Sequence, residues 1–144
     1  MRDLISNMGV EIAIPAASYS ADNTPPAIDL RGFDGAMLAI HVGVGGITFS
    51  GTNKVEFKLT HADEEDGDYS AVTIDDVQGI DAVGSGGIIH SLTAAHAAAT
   101  VTRVGYVGGK AFAKLLADFS GTHGAATPIG AVAILGYPRT APVA

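Results

Sequence analysis

Residues 54–61 read KVEFKLTH. Val55, Phe57 and Leu59 alternate with Lys54, Glu56, Lys58 and Thr60. An extended chain therefore puts three apolar side chains on one side and polar ones on the other. That is a β-strand with one buried face. Just upstream, residues 36–44 read AMLAIHVGV. Leu38, Ile40, Val42 and Val44 share one face and Met37, Ala39 and His41 the other, so this strand is expected to be covered on both sides. Between the two, GGITFSGTN suits a glycine-rich hairpin loop.

Downstream, the acidic stretch DEEDGD at 63–68 ends the strand with charge and glycine, and Tyr69–Val77 forms a short strand or turn. Residues 79–99, GIDAVGSGGIIHSLTAAHAAA, leave two readings open. One is a short alanine-rich helix capped by Ser91 and running through His96, and the other is a long loop with one helical turn. The stretch TVTRVGYVGGKAFAKLLADF reads as a hairpin, with strands Thr100–Val107 and Lys110–Phe119 joined at Gly108-Gly109. A last strand, Gly130–Tyr137, stops at Pro138. In the N-terminal third, Val10–Ile14 forms a strand, Pro25-Pro26 interrupts regular structure, and Ala27–Leu30 begins another strand.

These segments predict an all-β protein: an antiparallel β-sandwich or jelly-roll-like barrel of about seven or eight strands, with at most one short helix. No internal repeat or linker divides the chain, so residues 1–144 are expected to form a single β-domain. Residues 1–8, ahead of the first clear strand, read as an extended N-terminal arm or a flexible tail.

Composition bounds the function. The chain has no cysteine, which excludes disulfides and thiolate metal sites. The net charge of −7 argues against a nucleic-acid binder or a polybasic membrane contact. Asp3 and Glu11 interrupt the opening MRDLISNMGVEIAIP, so it does not read as a secretory leader, and no apolar run approaches the roughly 18 residues of a membrane span. Mean hydropathy is nevertheless +0.31 with only 16% charged residues. Either alanine and glycine inflate the apolar count, or other subunits cover part of the surface.

No motif for catalysis emerges. The acidic run Asp63, Glu64, Glu65, Asp66 and Asp68 is the densest charge feature. Aligned to a calcium loop on Gly67, it has Ala62 in the first ligand position and Thr73 in the twelfth, so it reads as a solvated turn. His41, His61, His90, His96 and His123 lack the spacing that puts two imidazoles on one helical face, and they read as scattered surface or loop residues. Gly43–Gly46 and Gly84–Gly87 match no phosphate-binding pattern, and Ser50 and Ser120 lack a nucleophile elbow. Tyr106, Phe112 and Phe119 lie near Arg103, Lys110 and Lys114, but in an acidic chain they suit packing better than base stacking. No catalytic residue, metal ligand or cofactor is expected.

Five segments carry a resemblance, in the same order over nearly the whole chain: MRDLISNMG, AIDLRGFDGAMLAIHVG, DGDYSAV, RVGYVGGKAFAKLL and AVAILGYPRTAPV. Together they resemble the small structural proteins encoded beside the major capsid protein in tailed bacteriophages and prophages, of the head decoration or cement type. Val107 and Ala111 stand where family members carry arginine-type residues. The resemblance implies a virion protein of the capsid surface, assembled in the host cytoplasm. It further implies a homotrimer whose partner is the major capsid protein, with no nucleic acid and no membrane involved. Rival expectations are a head–tail connector or tail protein, told apart by copy number, and a carbohydrate-binding β-sandwich module, against which the lack of tryptophan counts.

Overall fold

The computed structural model describes residues 2–143. Ten strands follow in order: β1 (Gly9–Tyr19), β2 (Ile28–Asp29), β3 (Phe33–Val42), β4 (Lys54–Ala62), β5 (Ser70–Ala71), β6 (Val77–Gln78), β7 (Ile88–Leu92), β8 (Thr100–Tyr106), β9 (Phe112–Ser120) and β10 (Thr127–Pro138). They form two antiparallel sheets. Sheet A has the order β1-β10-β3-β8-β6 and sheet B the order β2-β9-β4-β5, with β7 also paired to β4. The only helical pieces among the described residues are two 3-10 turns, at Ile5–Asn7 and Ile74–Asp76.

The all-β sandwich is as expected, but with ten strands rather than seven or eight, because the two-residue strands β5 and β6 extend the sheets beside β4 and β8. Without those two, the pairings nest: β1 with β10, β2 with β9, β3 with β8 and β4 with β7. The chain thus behaves as one long hairpin rolled into two sheets, which is the jelly-roll arrangement.

This connectivity corrects three local expectations. Thr100–Val107 and Lys110–Phe119 are not a hairpin, since β8 lies in sheet A and β9 in sheet B. The Gly108-Gly109 segment is an arch from one sheet to the other, held by the Val107 amide donating to Asp76 (2.8 Å) and the Lys110 amide donating to the Tyr106 hydroxyl (3.1 Å). GGITFSGTN likewise crosses between sheets rather than closing a hairpin. The 79–99 segment makes no helix. Ser91 lies inside β7, where Glu56 pairs with it, because sheet pairing outweighs a capped run too short to hold a helix.

The core lies between the sheets. Val55, Phe57 and Leu59 of β4 are fully buried, as their alternation demands, together with Leu38 and Ile40 of β3 and Leu115 of β9. Strand β1 is longer than Val10–Ile14. It continues through Pro15 by two bulges, opposite Ala131 and Gly130 of β10. Pro15 has no amide hydrogen to offer a ladder and is tolerated in this edge strand. Within the expected arm, the Ser6 carbonyl accepts a hydrogen bond from the Val143 amide (3.0 Å), while Met1 lies outside the described residues.

Candidate functional site

The two outer faces of the sandwich differ in chemistry. On sheet B, the outward side chains of β4 and β9 are Lys54, Glu56, Lys58, Thr60, Lys114, Asp118 and Ser120, with Leu116 apolar among them. Lys54 reaches Glu56 at 2.6 Å, Lys58 pairs with Asp118, and the Lys114 ammonium sits 4.1 Å over the Tyr69 ring. The Asp118 carboxylate holds the Lys58 ammonium above its ordinary pKa. This is the polar outer face expected of a solvated antiparallel sheet.

Sheet A does not follow that pattern. Its registers align the outward residues in rows across four strands. Val10, Ile134, Met37 and Gly105 form one row, and Ile12, Val132, Ala39 and Arg103 form the next. Gly130, His41 and Val101 form a third. Val10 is 65% exposed, Ile12 59% and Val101 63%. Arg103 is the single charged side chain in these rows, and it joins no ion pair among the described residues. Exposed valine and isoleucine in adjoining rows make a contiguous apolar patch, the usual mark of a surface that another protein covers. The two-sided apolarity of AMLAIHVGV predicted cover for β3. The same two-sided apolarity lies in GAVAILGY of β10.

The residues singled out for site chemistry are dispersed. The acidic run is the turn between β4 and β5, closed by the Gly67 amide donating to Glu64 (3.1 Å) and the Tyr69 hydroxyl donating to Glu65 (2.9 Å). Asp63 leaves it to pair with Lys110 at 2.6 Å. Among the described residues, no group of three or more histidines and carboxylates is placed to hold a metal ion.

The histidines are better packed than surface residues would be. Only His41 is exposed, on the outer face of sheet A. His61 is buried, with Nδ1 2.9 Å from the Tyr106 hydroxyl. His96 and His123 lie on either side of Phe49, with ring centroids 5.6 and 6.3 Å away, and their Nε2 atoms lie 2.9 Å from the carbonyls of Gly43 and Ser120. They close one end of the sandwich by bringing three loops together, a tertiary role that spacing along the chain does not reveal.

His90 stacks on Phe57 at 5.7 Å, and burial holds its pKa below the ordinary 6.5. The unfolded chain therefore binds this proton more readily than the folded one. The stability tied to neutral His90 is complete above pH 6.5 and declines as pH falls from there toward the lower folded value. Urea unfolding between pH 5 and 7 is expected to show a shallower loss in His90→Phe than in the parent. Equal slopes would remove His90 as the source.

A cleft at one sandwich end is lined by Arg31, Asp34, Asp63, Tyr106, Lys110 and Arg139. Each cation there already holds a carboxylate: Arg31 with Asp29 at 2.7 Å, Lys110 with Asp63, and Arg139 with Asp34 at 2.8 Å. Arg31 holds the Asp29 carboxyl below its ordinary pKa, as such a pair should. The cleft thus offers no unpaired charge to a ligand. The outer face of sheet A is the strongest candidate for function. No protein-family model, curated protein or solved structure matches this chain.

Proposed function

We propose that this protein acts by binding rather than by catalysis, as a decoration protein on the outside of a tailed-phage capsid. The observation that carries the binding part is the apolar outer face of sheet A, set against an outer face of sheet B that carries the Lys54–Glu56 and Lys58–Asp118 ion pairs. The ordered resemblance of five segments to small virion proteins supports the capsid assignment. A jelly roll suits such work, since its two packed sheets present broad, rigid surfaces, although the fold alone does not determine function. In this reading, homotrimers bridge neighbouring subunits of the major capsid protein, and many modest contacts repeated over the shell add up to tight attachment.

The test is to mix the purified protein with expanded capsids that lack it and count the copies that sediment with them. Occupancy on the order of hundreds per particle is expected, as repeated lattice sites require. A ring of about a dozen copies would instead assign the chain to the head–tail junction, and no binding at saturating protein would overturn the virion reading.

A further inference from the structure

The geometry points to the cleft at the sandwich end as a binding site for a neutral polyhydroxylated ring, a single pyranose sugar. The inference rests on the cleft alone and not on the virion reading, and it leaves the outer face of sheet A free for partners.

Three main-chain amides fix the walls of the cleft. The Arg139 amide donates to the Gly32 carbonyl (2.8 Å) and ties the end of β10 to the turn before β3. The Val107 amide donates to the Asp76 carbonyl and the Lys110 amide to the Tyr106 hydroxyl, and together they hold the arch from β8 to β9. The space enclosed is about 280 Å³, just under the roughly 300–1,000 Å³ of drug-sized ligand pockets, so it takes one ring. A site held open in advance loses little free energy to ordering when a ligand enters.

Burial separates a floor from a rim. Leu30 and Tyr106 are buried, with Phe33 half-buried, so the floor is apolar. Asp34, Asp63 and Arg139 are exposed around the mouth. A pyranose has the same division, with an apolar C–H face and a belt of hydroxyls at its edge. The rings of Phe33 and Tyr106 give that face an aromatic floor without a tryptophan.

Charge decides the class of ligand. Each rim cation already faces a carboxylate, so an anion would have to displace Asp34 or Asp63, and an ammonium would have to displace Arg139 or Lys110. A neutral hydroxyl displaces neither. The pairs also leave hydrogen-bonding groups open among the described residues. Arg139 uses only Nε toward Asp34 Oδ1, which leaves both of its terminal nitrogens and Asp34 Oδ2. Lys110 Nζ holds Asp63 Oδ2 and leaves Asp63 Oδ1 and its own remaining N–H groups. Donors and acceptors therefore stand side by side around the mouth. A hydroxyl both donates and accepts, so adjacent hydroxyls of one ring satisfy such a pair, whereas a carboxylate only accepts and an ammonium only donates.

The test is titration of the isotope-labelled full chain with the methyl glycosides of glucose, galactose, mannose and N-acetylglucosamine, read by amide chemical shifts. At least one is expected to give saturable shifts confined to residues 30–36, 106–111 and 139. The dissociation constant should be on the order of 1 mM, as the ligand efficiency of a ring of about a dozen non-hydrogen atoms implies. Inorganic phosphate and methylammonium are expected to leave those amides unmoved. Asp34→Ala combined with Asp63→Ala should weaken the glycoside by at least about tenfold and, by freeing Arg139 and Lys110, admit phosphate to the same amides. Both aspartates are exposed, so the variant is expected to keep the folded spectrum. Four glycosides that give no shifts or only linear ones, saturable shifts elsewhere, phosphate bound by the parent as tightly as the best glycoside, or a double variant with parental glycoside affinity would overturn the inference.

Discussion

Urea unfolding of Phe57→Ala is expected to return a stability about 3–5 kcal/mol below the parent, with an unchanged dependence on denaturant. Phe57 is fully buried at the middle of β4, which β9 flanks on one side and β7 on the other. Truncation removes the aromatic surface from the core and strands the His90 ring that stacks on it. Collapse into the space is hindered because both neighbouring strands are fixed by their ladders. A domain of this size holds about 5–15 kcal/mol in total, and with no cysteine there is no covalent staple to fall back on. The variant is therefore expected to be partly unfolded at 37 °C. A loss under 1.5 kcal/mol would show that Phe57 is not the centre of the core.

Gly87→Ala is expected to be nearly as severe, through the backbone rather than the core. Gly87 has φ +85°, a conformation that costs an alanine about 1–2 kcal/mol. A methyl group there would also overlap the main-chain oxygen of Leu59, and a strand oxygen cannot swing aside as a flexible side chain can. Its displacement would break the hydrogen bond that this oxygen accepts from the Val72 amide (3.2 Å) and strain the one that the Leu59 amide donates to the Gly87 carbonyl (2.9 Å), where the segment before β7 meets β4. The total loss is expected to reach about 3 kcal/mol. Gly109 provides the control. Its φ is +72°, but nothing lies within 4 Å of the added methyl, so Gly109→Ala should lose only the conformational part. Equal melting temperatures for the two variants would refute the clash at Gly87.

The strand pattern was legible where burial is one-sided or two-sided along a continuous run. The alternation in KVEFKLTH gave β4 to within a residue, and AMLAIHVGV gave β3, but only the face of Leu38, Ile40 and Val42 is buried and the face of Met37, Ala39 and His41 lies open on the outside of sheet A. Periodicity tells which side chains point inward, but not which sheet a strand joins. Val104 and Leu115 both point into the core, as a hairpin would require, yet they approach it from opposite layers. The glycines at 108–109 suit a tight turn and an arch equally well. The alanine-rich stretch failed as a helix because His96 and its loop are fixed by Phe49 and Gly43, residues far away in sequence. The candidate face was half legible. Its apolar residues were visible one strand at a time, but their assembly into rows depends on β10 lying between β1 and β3, an order that the nested pairing dictates and local sequence does not.

That nesting also bears on how the chain finds its fold. Closing β1 onto β10 directly would mean gathering everything between Tyr19 and Thr127 at a stroke, with a chain-entropy cost that rises with the length enclosed. If β4 meets β7 first, only residues 63–87 need be looped out, and β3 and β8 are then neighbours with short arms still free. Each later pair closes over a loop already shortened by the one inside it. The chain can therefore zip from the 63–87 arm toward both ends, with β1 seated last, and such non-local pairing belongs among the slower folding topologies. The zipper also sets a schedule for exposure: until β1 arrives, β10 has an open edge, and the apolar rows of sheet A lack their outermost column.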